Sequence, residues 1–220
     1  MSPVLVTATL TESLSDALRT QILKGEVPPG LRLTEAWVAE RFNVARPTAK
    51  ARLDRLCAEG LLRRGPRRSS VVPQLSADDI ADIYFSRQPV ETLAVRTLAA
   101  SRNAPPDAQR ALNLMRLAAE QSAHGDHTEA DVAFHRALVA ATASQRLQRM
   151  HDSVMGEAQL CIAQVRRNAS TDLTELTARH AAILEAIADG EPDAAEAALL
   201  VDLDSCRDML LADAAALRGS

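Results

Sequence analysis

A chain of 220 residues with a net charge of −4 and 47% apolar content is long enough for one large or two small domains, each with its own core. No apolar run approaches the ~18 residues of a membrane span, and the first residues lack the basic-then-apolar layout of a secretory leader. A membrane protein is therefore excluded and a cytoplasmic one expected.

Charge is unevenly distributed along the chain. Residues 1–75 hold twelve Lys/Arg against seven Asp/Glu, whereas the remainder holds thirteen against twenty-two. A small basic part beside a large acidic part points to a polyanion as partner of the first. The three cysteines, Cys57, Cys161 and Cys206, are far apart, odd in number and set among apolar neighbours, which reads as buried reduced thiols rather than a disulfide framework.

In chain order, residues 1–9 lack a helical period and read as a flexible tail. From Leu10 to Lys24 the residues Leu14, Ala17, Leu18, Ile22 and Leu23 form one stripe, with Thr11 or Ser13 as N-cap and Gly25 as the stop. Glu26 to Leu33, EVPPGLRL, is an extended link, because residues before Pro are pushed out of the helical region. Thr34 caps a second helix that ends near Phe42. A third begins around Arg46, where Pro47 is tolerated in the first turn, and stops at Gly60. Apolar residues keep helical spacing on both sides of Asn43-Val44-Ala45: Trp37, Val38, Phe42 and Val44, then Ala49, Leu53, Leu56 and Cys57. Two helices joined by so short a turn cross steeply and bury those residues against each other, as a helix-turn-helix does. Leu61–Arg64 and Ser69–Val72 flank Gly-Pro-Arg-Arg as a hairpin wing. The polar face carries Arg46, Lys50, Arg52 and Arg55, with Thr48 among them, and the wing adds Arg63, Arg64, Arg67 and Arg68. Against Asp54 and Glu59 these eight bases suit a phosphate backbone.

This order of helix, GEVPPGLRL, TEAWVAERFNVARPTAKARLDRLCAEGLL and basic hairpin resembles the winged helix-turn-helix of the GntR family of bacterial transcription regulators. The resemblance spans roughly 10–73. It implies that Arg46 opens the recognition helix and that Lys50 is the second base-reading residue. Three positions depart from the family pattern: Ala45 replaces the usual hydroxyl cap, which costs ~1 kcal/mol at the helix start, Ala36 stands where a base is common, and Ser69 replaces a wing glycine.

Beyond Pro73, Ser76-Ala77-Asp78-Asp79 starts a capped helix with acids in its first turn. Further helices are predicted at about 77–101, 106–123, 127–142, 145–167, 173–189 and 192–217, with breaks at Asn103-Ala104-Pro105, Gly125, Ala143-Ser144, 169–171 and Gly190-Glu191-Pro192. This half carries no strand signal. The predicted fold is therefore mainly α: residues 1–9 a tail, 10–74 a winged helix-turn-helix of three helices and a β-hairpin, and 75–217 an antiparallel all-α bundle.

In such a bundle an ionisable group on an apolar stripe is the informative feature, since burying it alone is costly. His180 interrupts the stripe Leu173, Leu176, Ile183, Leu184, Ile187, and Asp202 interrupts Ala195, Leu199, Cys206, Met209. Asp131 and His135 lie one turn apart on the helix that points Phe134 and Leu138 inward. Two carboxylates and two imidazoles from three helices make a divalent-metal site with N/O ligands, with Zn, Mn or Ni as candidates. The alternatives are a hydrogen-bonded structural histidine and an exposed Asp131–His135 pair.

Residues 78–215 are in turn similar to the FCD effector domains found in the FadR-like branch of the GntR family. The resemblance implies that Asp131, His135, His180 and Asp202 occupy metal-ligand positions, Asp202 standing where the family has His. It also implies that Arg87, four residues before Glu91, clamps a carboxylate effector, the alternative being an intrahelical Arg87–Glu91 pair. The resulting expectation is a homodimeric regulator, not an enzyme, that binds a pseudo-palindromic double-stranded DNA operator and responds to a small carboxylate. Two rivals are a DNA-binding protein whose helical half is only a dimerisation scaffold, and an all-α metal phosphohydrolase built on His151-Asp152.

Overall fold

The computed structural model describes the backbone of residues 4–66, 69–165 and 172–219, and the side chains of 14–66, 69–165 and 172–216. The chain forms two compact units, Met1–Leu75 and Ser76–Ser220.

The first unit contains α1 (Val4–Leu23), β1 (Arg32–Thr34), α2 (Glu35–Arg41), α3 (Arg46–Ala58), β2 (Arg63–Gly65) and β3 (Ser69–Val71). Its core is the predicted one: Leu14, Leu18 and Ile22 of α1 are buried with Val38, Ala49, Leu53 and Leu56, while Trp37, Phe42, Val44 and Cys57 are only half-buried. Thr34 caps α2 by accepting from the Trp37 amide at 3.1 Å. The turn into α3 passes through Asn43 at φ 49°, a left-handed conformation that Asn tolerates better than most residues. Ala45 offers α3 no side-chain cap, and Pro47 sits in its first turn. Two expectations need correction. Residues 4–9, expected as part of a flexible tail, belong to α1, because the segment Val4–Thr9 contains no Gly or Pro to stop the helix from running back along it. The extended link also does more than connect: its last residues pair with the wing, giving an antiparallel sheet of order β1-β3-β2. In that sheet Gly65 faces Ser69, and a Cβ at Gly65 would meet Ser69 Oγ at 2.7 Å. The bare backbone at 65 thus makes room for the serine that departs from the wing pattern.

Among its described residues the second unit has six helices: α4 (Ala77–Ala100), α5 (Pro106–Glu120), α6 (His124–Ala140), α7 (Gln145–Val165), α8 (Leu173–Asp189) and α9 (Pro192–Gly219). A reciprocal capping box between Ser76 and Asp79 starts α4. Gly190 ends α8 in the left-handed region at φ 76°. The break before α6 lies upstream of the predicted Gly125: Ser122 takes φ 54° and the helix is already formed at His124, so Gly125 falls in its first turn, where little backbone bonding is at stake. α4 packs against α6, α7, α8 and α9, and α5 against α6 and α8, so α4 is the helix whose inward stripe meets most of the bundle. None of the described helices is long and apolar enough to cross a membrane.

Candidate functional site

In the first unit the predicted basic face is largely solvent-exposed. Arg46 and Lys50 on α3 and Arg63 and Arg64 on β2 are exposed, whereas Thr48 and Arg52 are half-buried. Arg67 and Arg68 lie outside the described residues. Asp54 organises part of this face: one carboxylate oxygen takes Lys50 Nζ at 2.7 Å and the other takes Arg64 Nη1 at 3.0 Å, joining α3 to the wing. These hydrogen bonds, led by that from Lys50, hold the Asp54 carboxyl below its usual range. Arg55 pairs with Glu59, which also takes Arg19 of α1.

In the second unit the inward polar residues meet. His180 Nε2 lies 2.9 Å from Asp131 Oδ1 and 3.2 Å from His135 Nε2, and His135 Nε2 lies 3.9 Å from Asp131 Oδ1. Neighbouring donors on one cation with bonds of ~2.0–2.1 Å stand about 2.9–3.4 Å apart, so two of these three separations match and the third needs a small adjustment. Asp202 borders the cluster, with Oδ2 3.4 Å from His135 Nε2 and Oδ1 3.6 Å from His180 Nδ1; the three mutually close donors are Asp131, His135 and His180. Phe134 presents edge contacts to both rings, at 5.5 and 4.8 Å between centroids. The exposed-pair alternative for Asp131–His135 does not describe this geometry, because His135 is buried and the pair faces inward.

Arg87 is also buried, and its Nε donates to Glu91 Oε1 at 2.7 Å. The intrahelical pair therefore exists, but inside the bundle rather than on its surface. Arg87 Cζ lies 5.0 Å from the Tyr84 ring centroid, a cation–π arrangement, and the Tyr84 hydroxyl donates to Cys206 Sγ at 3.0 Å. Glu91 is shared further, with His135 Nδ1 2.7 Å from Oε2 and His151 Nε2 3.0 Å from Oε1.

The electrostatics follow from burial and crowding. Burial opposes a charge on His135, but the neighbouring Glu91 carboxylate overrides it and pushes the pKa up to about 10. Burial likewise opposes protonation of His180, and Asp202 and Asp131 raise its pKa nonetheless. Burial would lift both acids, yet Asp131 is held well below the usual carboxylate range by His180 and Glu91 by Arg87. The Glu91, Asp131 and Asp202 carboxylates thus face the Arg87 guanidinium and two imidazoles that they favour in the protonated form. The cluster calls for positive charge at the point between the two rings.

Residues 10–72 match the model of the bacterial regulatory proteins of the gntR family, and residues 82–205 match that of the FCD domain. The chain is a gntR-family protein with an FCD domain. Among similar proteins, an HTH-type transcriptional repressor, RspR of Escherichia coli, is 30% identical over 134 residues, 60% of this chain and 59% of that repressor. The chain thus spans about three fifths of that relative's length. The HTH-type transcriptional regulator LutR of Bacillus subtilis is 26% identical over 86% of this chain and 95% of its own. The solved structure of E. coli McbR/YncC shares the fold, with a TM-score of 0.76 at 20% identity over 91% of this chain and 96% of that one.

In this gntR-family chain the phosphohydrolase alternative loses its pairing. His151 is buried on Glu91, whereas Asp152 lies 3.6 Å from Arg136, so the two adjacent residues serve different partners. The matched models are those of a family of regulatory proteins and of the FCD domain, and the relatives named above are transcriptional regulators, not enzymes. What reasoning from sequence missed is the contact of His151 with Glu91, since His151 was considered only together with Asp152, and the contact of Tyr84 with Cys206. The signal was present on α4, where Ile80, Tyr84, Arg87, Glu91, Ala94, Val95 and Leu98 form one buried stripe, so an Arg and a Glu on it had to meet partners inside.

Proposed function

We propose that the protein is a ligand-responsive DNA-binding transcription regulator, homodimeric, whose helical domain senses a small carboxylate through a divalent metal. The DNA-reading part rests on the gntR-family match together with the exposed bases of α3 and β2. Arg46 and Lys50 would address base edges in the major groove, and Arg63 and Arg64 the phosphates.

The sensing part is carried by one observation: two imidazole Nε2 atoms and a carboxylate oxygen converge on one buried point. His180 Nδ1 donates to the Leu176 carbonyl at 2.8 Å, which leaves Nε2 as the nitrogen turned toward Asp131 Oδ1 and His135 Nε2. Lone pairs so close require a cation between them, whether a proton or a metal ion. The N/O donor set fits Zn, Mn or Ni, with Asp131, His135 and His180 as ligands and Asp202 able to complete them. The metal would supply a Lewis-acidic seat for a carboxylate oxygen. Arg87 would hold the other end of that anion through Nη1, which meets no partner among the described residues. To regulate, the anion must favour one arrangement of the protein over another.

The scaffold-only alternative is favoured by Asp202, which borders the donor cluster where the family resemblance places a histidine. A thermal-shift screen of small carboxylic acids with and without Zn²⁺, Mn²⁺ and Ni²⁺ separates the two. Sensing requires a metal-dependent shift with at least one acid; a flat screen in every combination leaves only the scaffold.

A further inference from the structure

Glu91 is fully buried and is met by nitrogens from three helices, two of them in hydrogen bonds and the third, His135 Nδ1, in a close ion-pair contact. Oε1 accepts from Arg87 Nε of its own helix at 2.7 Å and from His151 Nε2 of α7 at 3.0 Å. Oε2 lies 2.7 Å from His135 Nδ1 of α6 and 3.5 Å from Arg87 Nη2. An ionised carboxylate offers only lone pairs, so the ring nitrogens that face it carry hydrogens. His135 therefore carries a hydrogen on Nδ1, and Nε2 is the nitrogen it turns toward His180. His151 bears its proton on Nε2, and its Nδ1 is buried without a hydrogen-bond partner. Glu91 is the polar contact that accounts for burying that ring.

The two rings of the cluster are thus oriented by different means. His180 is held by a neutral backbone carbonyl of its own helix, whereas His135 is held by a charged side chain from another helix, and that charge is shared with Arg87. We propose that Glu91 is the positioning residue of the metal centre and links it to the anion clamp. It presents His135 with Nε2 forward, and Arg87, drawing on the same carboxylate, sets how strongly. This rests on reading Asp131, His135 and His180 as ligands, and extends it to Glu91, which touches neither cation nor effector.

A histidine whose second nitrogen leans on a carboxylate is a more basic and less mobile ligand. An anion that engages Arg87 loosens its hold on Glu91, whose charge then bears more fully on His135. By reciprocity, a cation at the cluster must strengthen the anion by the same factor. His151, gripping Oε1, keeps the carboxylate from turning away when Arg87 lets go.

The test is zinc affinity, by competition with a chromophoric chelator, combined with long-range ¹⁵N–¹H spectra of the five histidines in the full chain. Glu91→Gln keeps the shape and removes the charge, while Glu91→Asp keeps the charge for Arg87 and withdraws it from His135. In both, the zinc dissociation constant is expected to rise by about 10–100-fold, and His135 to lose its fixed Nδ1–H tautomer. Acetate, as the anion probe, should tighten zinc binding in the wild type and do so less in Glu91→Gln. Wild-type affinity and tautomer in whichever variant folds overturns the positioning role, and an equal acetate effect in wild type and Glu91→Gln overturns the link. A wild type that takes up no zinc defeats the metal reading itself; the tautomer comparison then decides alone whether Glu91 orients His135.

Discussion

The two polar constellations of this chain put charge to use in opposite ways. On the first unit Arg46, Lys50, Arg63 and Arg64 stand in water, where any single ion pair is worth little and the face acts by its summed potential. In the second, Arg87, Glu91, His135 and His180 are out of water, so each charge depends on its neighbours and none can be removed alone without cost. Lys50–Asp54 and Arg87–Glu91 illustrate this directly. Both are i,i+4 pairs at 2.7 Å, yet the first is exposed and the second has side-chain exposures of 2% and 0%. Equal geometry in the two places therefore carries unequal weight.

That contrast is broken most severely by Arg87→Ala, which strands Glu91 among two imidazoles. The helical domain should lose about 3–5 kcal/mol of stability, read by urea unfolding of the full chain; a loss under ~1 kcal/mol would place this pair in the same class as the surface ones. His180→Ala comes next. It removes one converging donor, and elemental analysis after metal-replete purification should show about one zinc per chain in the wild type, as a single site of this kind requires, and little in the variant. Arg46→Ala should weaken specific operator binding by about 1–3 kcal/mol while hardly changing affinity for random duplex, and equal losses on both would argue against a base contact.

The smallest effect is expected from Asp54→Asn, which frees Lys50 and Arg64 at a stability cost below ~1 kcal/mol. Nonspecific duplex affinity should rise, with a steeper salt dependence, in a fluorescence-anisotropy titration. The pH dependence has a definite sign. Because Lys50 and Arg64 depress the Asp54 pKa, the pairing is complete above the unfolded value near ~3.9 and is lost only as acid carries the pH down through the folded value. Binding measured across neutral pH should therefore show no step from this residue.

Much of the architecture was legible without coordinates. The helix-turn-helix could be read because its core residues repeat at helical spacing around a three-residue turn, and the six bundle helices because their breaks coincide with Gly, Pro and Ser. β1 escaped notice because three residues after a Pro-Pro-Gly turn carry no period of their own; only the presence of β3 makes them a strand. The candidate site was legible in part for a similar reason. His180, Asp202 and the Asp131–His135 pair announced themselves as polar interruptions of apolar stripes, whereas His151 was considered only with its neighbour Asp152 and its partner Glu91 lies on another helix.

The order of residues determined by itself which faces of the helices turn inward, since a period of 3.6 and the aversion of apolar side chains to water need no partner to be expressed. It also determined that one part of the chain is basic and the other acidic. Only the tertiary structure decided that Glu91 meets His135 and His151, that His135 and His180 bring Nε2 atoms within 3.2 Å, and that Asp202 borders this cluster. Whether side chains from separate helices touch depends on crossing angles and on the register of one helix against the next. Those are set by the packing of the whole bundle and by no single stretch of it.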